Sequence, residues 1–453
     1  MQKNKLINDF THGSIPKHLF TFMLPFVASN GLQVLYSLVD MIVVGQYVGS
    51  AGLSGVSQGG MLTVFATIFC MGFSNSGQIL VSQLLGAGRK EELPHVIGTL
   101  FSLTVIMGLS ISALLVVFRG VMMDFLKMPP ESWALGSQYV LICGCGLIFT
   151  HGYNSIAAIL RGMGDSRHPF VFITASSLLN LALDLLMTGY LGMGVAGAAL
   201  ATVISQAVCF FASLVFLMHH REDFFFDFQP ASFKIHRVYC KKILRLGFPL
   251  ALQACAVSCS MMICSSFINR LGVAPSATFG VGVKVDDIAN KLSQGVQMAA
   301  APIVGQNVGA GNHKRVRSTV WWTFLMAGVV FFLFFLSYAF LGQPIFGLFT
   351  TDSDVIAMAP VFISAIVWSF PGMVLMRGTQ ALMHGSGNTT ILMCMAFADA
   401  GLRLLLSWLL GIVLDFGFYG FVLGFGLAAY GVAIPGLLFF LSGKWKNTRL
   451  LDH

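Results

Sequence analysis

QLLGAG at residues 83–88 returns as QNVGAG at residues 306–311, 223 positions later. RGMGDS at 161–166 returns as HGSGNT at 384–389, at the same offset. Gly194-x-x-Gly197 returns as Gly417-x-x-Gly420, again 223 on, and Pro25 has a counterpart 224 on in Pro249. One such match is chance. Three in order at one offset, with a fourth a single residue away, mark a duplicated chain. The copies are residues 1–218 and 246–453, and the polar segment 219–245 joins them.

What is duplicated follows from composition. Of 453 residues, 56% are hydrophobic and 10% charged. A soluble protein has about a quarter of its residues charged, so this chain cannot cover a water-facing surface. Disorder is excluded by the same numbers. Apolar segments of roughly 20 residues span a bilayer as helices. Twelve can be drawn, near 17–43, 54–82, 95–117, 134–158, 169–190, 195–218, 246–269, 278–303, 318–341, 355–381, 389–412 and 418–442. None alternates as a barrel strand does. The fold class expected is an all-α integral membrane protein: two homologous six-helix bundles with a central cavity. An even number of helices per copy keeps the copies parallel, the common plan of secondary transporters.

Lys and Arg set the orientation. With a cytoplasmic N-terminus, 19 of the 26 fall inside, including Lys3, Lys5, Lys17, Arg161, Lys241, Arg315 and Arg449. Only Arg119, Lys127 and Arg270 fall outside, and Lys284, Lys291, Arg377 and Arg403 lie within or at the edges of spans. Both termini are therefore expected in the cytoplasm, in a multi-pass protein of the cell membrane. The net charge of +8 then needs no nucleic acid. The polar opening, without a small-residue cleavage site, leads us to expect no cleavable signal. Nine Cys without a CxxC motif point to free thiols and no zinc site. No phosphate loop is present, so transport is expected to run on an ion gradient, with no cofactor beyond the coupling ion.

A charge at mid-bilayer costs about 2.5–3.5 kcal/mol on insertion scales, so an intramembrane carboxylate suggests function. The carboxylates within spans are Asp40, Asp184, Asp286, Asp287 and Asp399. Asn30, Gln33, Ser37 and Asp40 share one helix face, and Asn180 and Asp184 another. Such carboxylates, buried without a cation, would hold a proton near neutral pH. Alternatively their oxygens, with an amide and a hydroxyl, coordinate Na⁺. Adding 223 turns Asp40, Asn180 and Asp184 into Ile263, Arg403 and Ser407. One ion site per chain is expected, in the first copy. In the second, Lys284–Asp287, Asp287–Lys291 and Asp399–Arg403 have the spacing of helical ion pairs.

LPFVASNGLQVLYSLVDMIVVG (24–45), the paired loops, RGMGDSRHP (161–169) and NLALDLLMTGYLGMGVAGAALAT (180–202) together resemble the multidrug and toxic compound extrusion (MATE) transporters. The last stretch is most similar to the prokaryotic DinF-like branch. The resemblance covers essentially the whole chain. It implies a monomeric antiporter, not an enzyme, that exports amphipathic, cationic compounds in exchange for H⁺ or Na⁺ by alternating access. It adds Tyr139, Asn154 and Thr202 to the ion cluster, with Thr202 completing a Na⁺ set of Asp40, Asn180 and Asp184. It links bending at Pro25 to protonation of Asp40, and it places Lys284, Asp286 and Asp287 along the cavity. Adding 223 to its three neighbours gives Phe362, Arg377 and Phe425. A lipid-precursor flippase of the same superfamily is the alternative. The GxGD of Gly162–Asp165 matches intramembrane aspartyl proteases, but it lies in a loop between Arg161 and Arg167.

Overall fold

The computed structural model describes residues 7–125, 128–447 and 450–451, with the backbone alone at 34–42, 44, 50 and 51. Lys3, Lys5, Lys127 and Arg449 of the orientation argument lie outside the described residues. The principal helices are α1 (Ile15–Gly86), α2 (Leu93–Val117), α3 (Pro130–Gly162), α4 (Arg167–Asp184), α5 (Gly194–His219), α6 (Arg237–Asn269) and α7 (Val273–Gly309). They continue with α8 (His313–Gly347), α9 (Ser353–Ile366), α10 (Phe370–Ser386), α11 (Thr389–Trp408), α12 (Gly417–Leu427) and α13 (Tyr430–Ser442).

Ten segments of the described residues are long and apolar enough to cross a membrane. Two more complete the twelve expected. One is the part of α1 before Gly49, where φ 76 and ψ −175 break the helix in two. The other is α7, whose apolar run is diluted by Lys284, Asp286, Asp287 and Lys291. Large apolar side chains such as Val64, Leu109, Leu178 and Phe332 stay exposed on these helices, as lipid-facing surface requires. All nine cysteines are free.

The duplicated motifs are helix stops and close approaches. Gly88 (φ 75) and Gly311 (φ 71) are left-handed, and just beyond them Arg89 N donates to Leu84 O at 3.0 Å and Asn312 N to Asn307 O at 2.8 Å. Gly164 (φ 91) and Gly387 (φ 78) repeat the device, with Asp165 N on Leu160 O at 2.8 Å and Asn388 N on Met383 O at 2.9 Å. Each closes a helix end with a six-residue hydrogen bond that only a residue tolerant of positive φ permits. The Asp165 carboxylate is committed here as well: Oδ1 accepts from Arg167 N (3.0 Å) and His168 N (3.2 Å), and Oδ2 pairs with His168 Nδ1. The GxGD match is thus a turn and cap. The third motif follows a π-helical turn in both copies, at Leu185–Tyr190 and Leu409–Val413. A Cβ at Gly197 would sit 2.9 Å from Met187 C, and one at Gly420 2.3 Å from Leu410 O.

The described chain divides into two compact units: Met1–Asp9 with Ala28–Ala251, and Phe10–Val27 with Leu252–His453. These depart from the expected 1–218 and 246–453. The start of α1 belongs to unit 2, and the joining segment with the start of α6 belongs to unit 1. The chain changes unit at 27/28 and at 251/252, which are 224 residues apart, the spacing of Pro25 and Pro249. Packing explains both exchanges. Phe10, Leu19, Phe22 and Phe26 bury against Ala299, Ala300, Ile303 and Ala381. Phe10 N donates to Gln306 Oε1 at 2.9 Å, and Arg315 Nη2 donates to Phe10 O at 2.9 Å. In unit 1, Phe226 and Phe233 pack on Phe101 of α2, and His236 N donates to Thr99 Oγ1 at 3.0 Å. Gly98 admits the strap, since a Cβ there would lie 1.9 Å from Ser232 O. Residues 219–245, expected as a loop between the halves, are thus a docked part of unit 1.

Candidate functional site

Ser176, Asn180 and Asp184 of α4 and Thr188 of the following π-turn recur every four residues, and all are buried, at 3, 2, 0 and 2% exposure. Residues four apart share a helix face, and this polar face is turned wholly inward. It meets α5, where Ser176 Oγ donates to Ser205 O at 3.0 Å and Ser205 Oγ donates to Thr202 O at 2.9 Å. Among the described residues, neither end of the Asn180 amide has a hydrogen-bond partner, nor has the Thr188 hydroxyl. A buried polar group left unsatisfied costs about 1–3 kcal/mol. The stripe therefore has polar capacity to spare for a ligand.

The sequence-based set includes two residues too far apart to share one ion. Asp40 and Ser37 lie outside the described side chains, and Gln33 is exposed on α1. Pro25 is half-buried within α1, which stays helical through it. Tyr139 is buried on α3 beside Cys143, Val195 and Ala199. Thr202 is half-buried and its hydroxyl donates back to Ala198 O of its own helix at 3.0 Å. Asn154 is half-buried and 15 residues along α3 from Tyr139. That is about 22 Å of rise, so no single ion touches both. Ser176 and Thr188 were missed, although the step of four that links Asn180 to Asp184 reaches them. His151 was also missed: it is 1% exposed on α3, and neither ring nitrogen has a partner among the described residues. No motif surrounds it, so only packing reveals it.

Unit 2 carries the corresponding stripe on α11, 223 residues on: Asp399, Arg403 and Ser407, all buried. Arg403 Nη2 donates to Asp399 Oδ2 at 2.7 Å, and its Cζ lies 4.8 Å from the Phe425 ring centroid. Ser407 Oγ donates to Phe421 O at 3.3 Å. On α7, the helical spacing of Lys284 and Asp287 does not yield an ion pair; both side chains are exposed. Long exposed side chains three apart gain too little from pairing to hold one geometry. Asp286 is buried and its Oδ2 accepts from Asn290 Nδ2 at 2.9 Å. A recess of about 450 Å³ beside Trp321, Phe324, Leu325 and Phe332 is an apolar groove on α8 without ion chemistry. No group of three or more His, Cys, Asp or Glu suited to a metal occurs among the described residues.

The MatE family pattern matches residues 25–186 and 249–409, one match in each copy. The chain belongs to the MatE family. MATE proteins are multidrug efflux transporters of the membrane, not enzymes, and the paired matches follow the duplication. The chain is 25% identical to the probable multidrug resistance protein YpnP of Bacillus subtilis, over 98% of this chain and 99% of that one. It is 25% identical to the probable multidrug resistance protein NorM of Thermotoga maritima, over 97% and 95%. The multidrug export protein MepA of Staphylococcus aureus is 23% identical over 86% of this chain and 84% of its own. Among solved structures, a MATE protein in complex with MaL6 superposes with a TM-score of 0.91 at 20% identity, over 99% of this chain and all of that one. An outward-facing multidrug resistance MATE transporter superposes at 0.90, also at 20% identity, over 100% and 99%. Both share the two-lobed, all-helical MATE fold.

Proposed function

We propose that this MATE protein is a secondary antiporter that exports amphipathic, cationic organic compounds in exchange for H⁺ or Na⁺, coupled at the polar stripe of unit 1. The observation that carries the coupling is the unpartnered, buried Asn180 amide one turn from the fully buried Asp184. The duplication supports it, because the same positions in unit 2 hold Arg403 and Ser407, and Arg403 is neutralised by Asp399. Asp40, Thr202 and Tyr139 complete the proposed ion site, in the manner of the DinF-like branch. Asn154 is left to the proton path or to packing. The relatives named for multidrug resistance and multidrug export support the cargo class.

In the cycle, the cation enters from outside at Asp184 and Asp40 and favours the inward-facing state. Substrate then displaces it, and the loaded protein returns outward. Bending at Pro25 is proposed to follow the charge of Asp40. One charge crossing about 100 mV supplies about 2.3 kcal/mol, enough for tens-fold accumulation. The multi-pass chain is proposed to sit in the cell membrane as a monomer with both termini cytoplasmic.

Efflux of a fluorescent lipophilic cation from vesicles tests this reading, with a pH gradient and a Na⁺ gradient imposed separately. Efflux driven by one gradient and lost in both Asp184→Asn and Asp40→Asn is the expected result and names the ion. Efflux that ignores both substitutions removes the stripe from the mechanism. Folded protein that moves no cation under either gradient points to the lipid-precursor flippase.

A further inference from the structure

Unit 2 holds a second polar cluster that the coupling site does not use. Arg377 of α10 is 7% exposed. Its Nε donates to Ser293 Oγ at 3.0 Å, its Nη1 to Gln297 Oε1 at 3.2 Å and its Nη2 to Asn290 Oδ1 at 2.7 Å. Each of these acceptors is neutral. The Asn290 amide then turns its other end to Asp286, with Nδ2 2.9 Å from Oδ2. Asp286 is 5% exposed, and its Oδ1 has no partner among the described residues. Tyr338 of α8 is near enough to interact with the Asp286 charge, and its buried hydroxyl is also unpartnered.

A purely structural ion pair would bring guanidinium and carboxylate into direct, forked contact. Here an amide stands between them. Arg377 therefore keeps its bonds to Ser293, Gln297 and Asn290 whether Asp286 is charged or neutral. Burial opposes the charged carboxylate, and Arg377 with the Asn290 donor favours it. Two opposed influences of this kind, with one oxygen left open, suit a carboxyl that gains and loses a proton. Access is at hand one residue away. Lys284 and Asp287 are exposed on the adjoining face of α7 and make no ion pair with each other. Charges turned to lipid are costly, so that face meets water. The ionisable groups around Asp286 are thus Lys284 and Asp287 of its own helix, Tyr338 of α8 and Arg377 of α10. α9, also packed on α7, carries only Asp354, exposed in its first turn.

We propose that Asp286 is a second protonation site, in unit 2, set by the Asn290 amide and Arg377 and reached from the Lys284–Asp287 face. The step is a simple exchange: Oδ1 takes a proton from water to give the neutral acid and returns it to water later. The functional consequence rests on the antiport reading above, with this site adding a proton to each transport cycle.

The test uses the full chain in lipid vesicles. Infrared difference spectra across a pH titration are expected to show a carboxylic C=O band. It should vanish in Asp286→Asn, return at a shifted frequency in Asp286→Glu and persist in Asp184→Asn. Proton movement per substrate exported is expected to fall in Asp286→Asn, with substrate affinity in detergent unchanged. A titrating spectrum identical in wild type and Asp286→Asn overturns the proposal. If Asp286→Asn does not fold, Asn290→Leu takes its place. Loss of the amide donor should shift the band's midpoint, and an unmoved midpoint overturns the assignment. Wild-type export that moves no protons would sink proton antiport alone, since the spectra still decide whether Asp286 titrates.

Discussion

The stripes on α4 and α11 began as copies of one helix and now do opposite things. On α11 the charges answer one another: Asp399 takes Arg403, Arg403 lies over Phe425, and Ser407 caps the Phe421 carbonyl, with Asp399 Oδ1 and Arg403 Nε left over among the described residues. On α4 the Asn180 amide and the Thr188 hydroxyl stay open among the described residues. The partner residues differ in step with the stripe. Phe425 stands where unit 1 has Thr202, an aromatic face for a cation in place of a hydroxyl. Duplication therefore supplied one scaffold twice. One copy neutralised its buried charge with an internal ion pair, and the other left a whole side-chain amide without a partner among the described residues.

Substitutions can break this contrast. Arg403→Ala leaves Asp399 buried without its partner. It should cost about 3–5 kcal/mol, seen as a large drop in unfolding temperature in detergent, while Asp399→Ala with Arg403→Ala recovers most of it. Equal losses in the single and double variants would mean the pair is not what holds α11. The next largest effect lies at the shared glycines. Gly420→Ala drives a methyl to 2.3 Å from the Leu410 carbonyl oxygen, which as backbone cannot swing aside. About 1–3 kcal/mol should be lost, and less at Gly197→Ala, where the closest atom is at 2.9 Å. The reverse order in thermal unfolding would show that the unit 2 turn is the more yielding. The smallest stability effect sharpens the comparison most. Asn180→Leu removes an unpartnered amide while keeping the branching at Cγ. Stability should be unchanged or rise by up to about 1 kcal/mol, while gradient-driven efflux falls. A stability loss with normal efflux would assign Asn180 to packing.

Much of this was legible in the residues. The duplication, the helical class and the spans followed from offsets and composition, because lipid permits few ways to satisfy a backbone. The pair Asn180–Asp184 was visible as helical spacing. The same spacing misled at Lys284 and Asp287, which share a face but do not pair. Ser176, Thr188 and His151 carry no signal as single letters, since Ser, Thr and His occur equally on exposed faces. Only burial distinguishes His151, whereas Ser176 and Thr188 extend the step of four from Asn180 and Asp184.

The sequence by itself determined a duplicated, twelve-span helical membrane protein of MATE type. Periodicity and hydrophobicity are local and survive in the letters. Tertiary structure alone decided that each copy lends the start of its first helix to the other unit, and that the segment 219–245 docks on α2. It alone placed the Asn290 amide between Asp286 and Arg377, residues 91 apart in sequence. Such pairings depend on which helix faces meet, and that is fixed by packing of surfaces far apart along the chain.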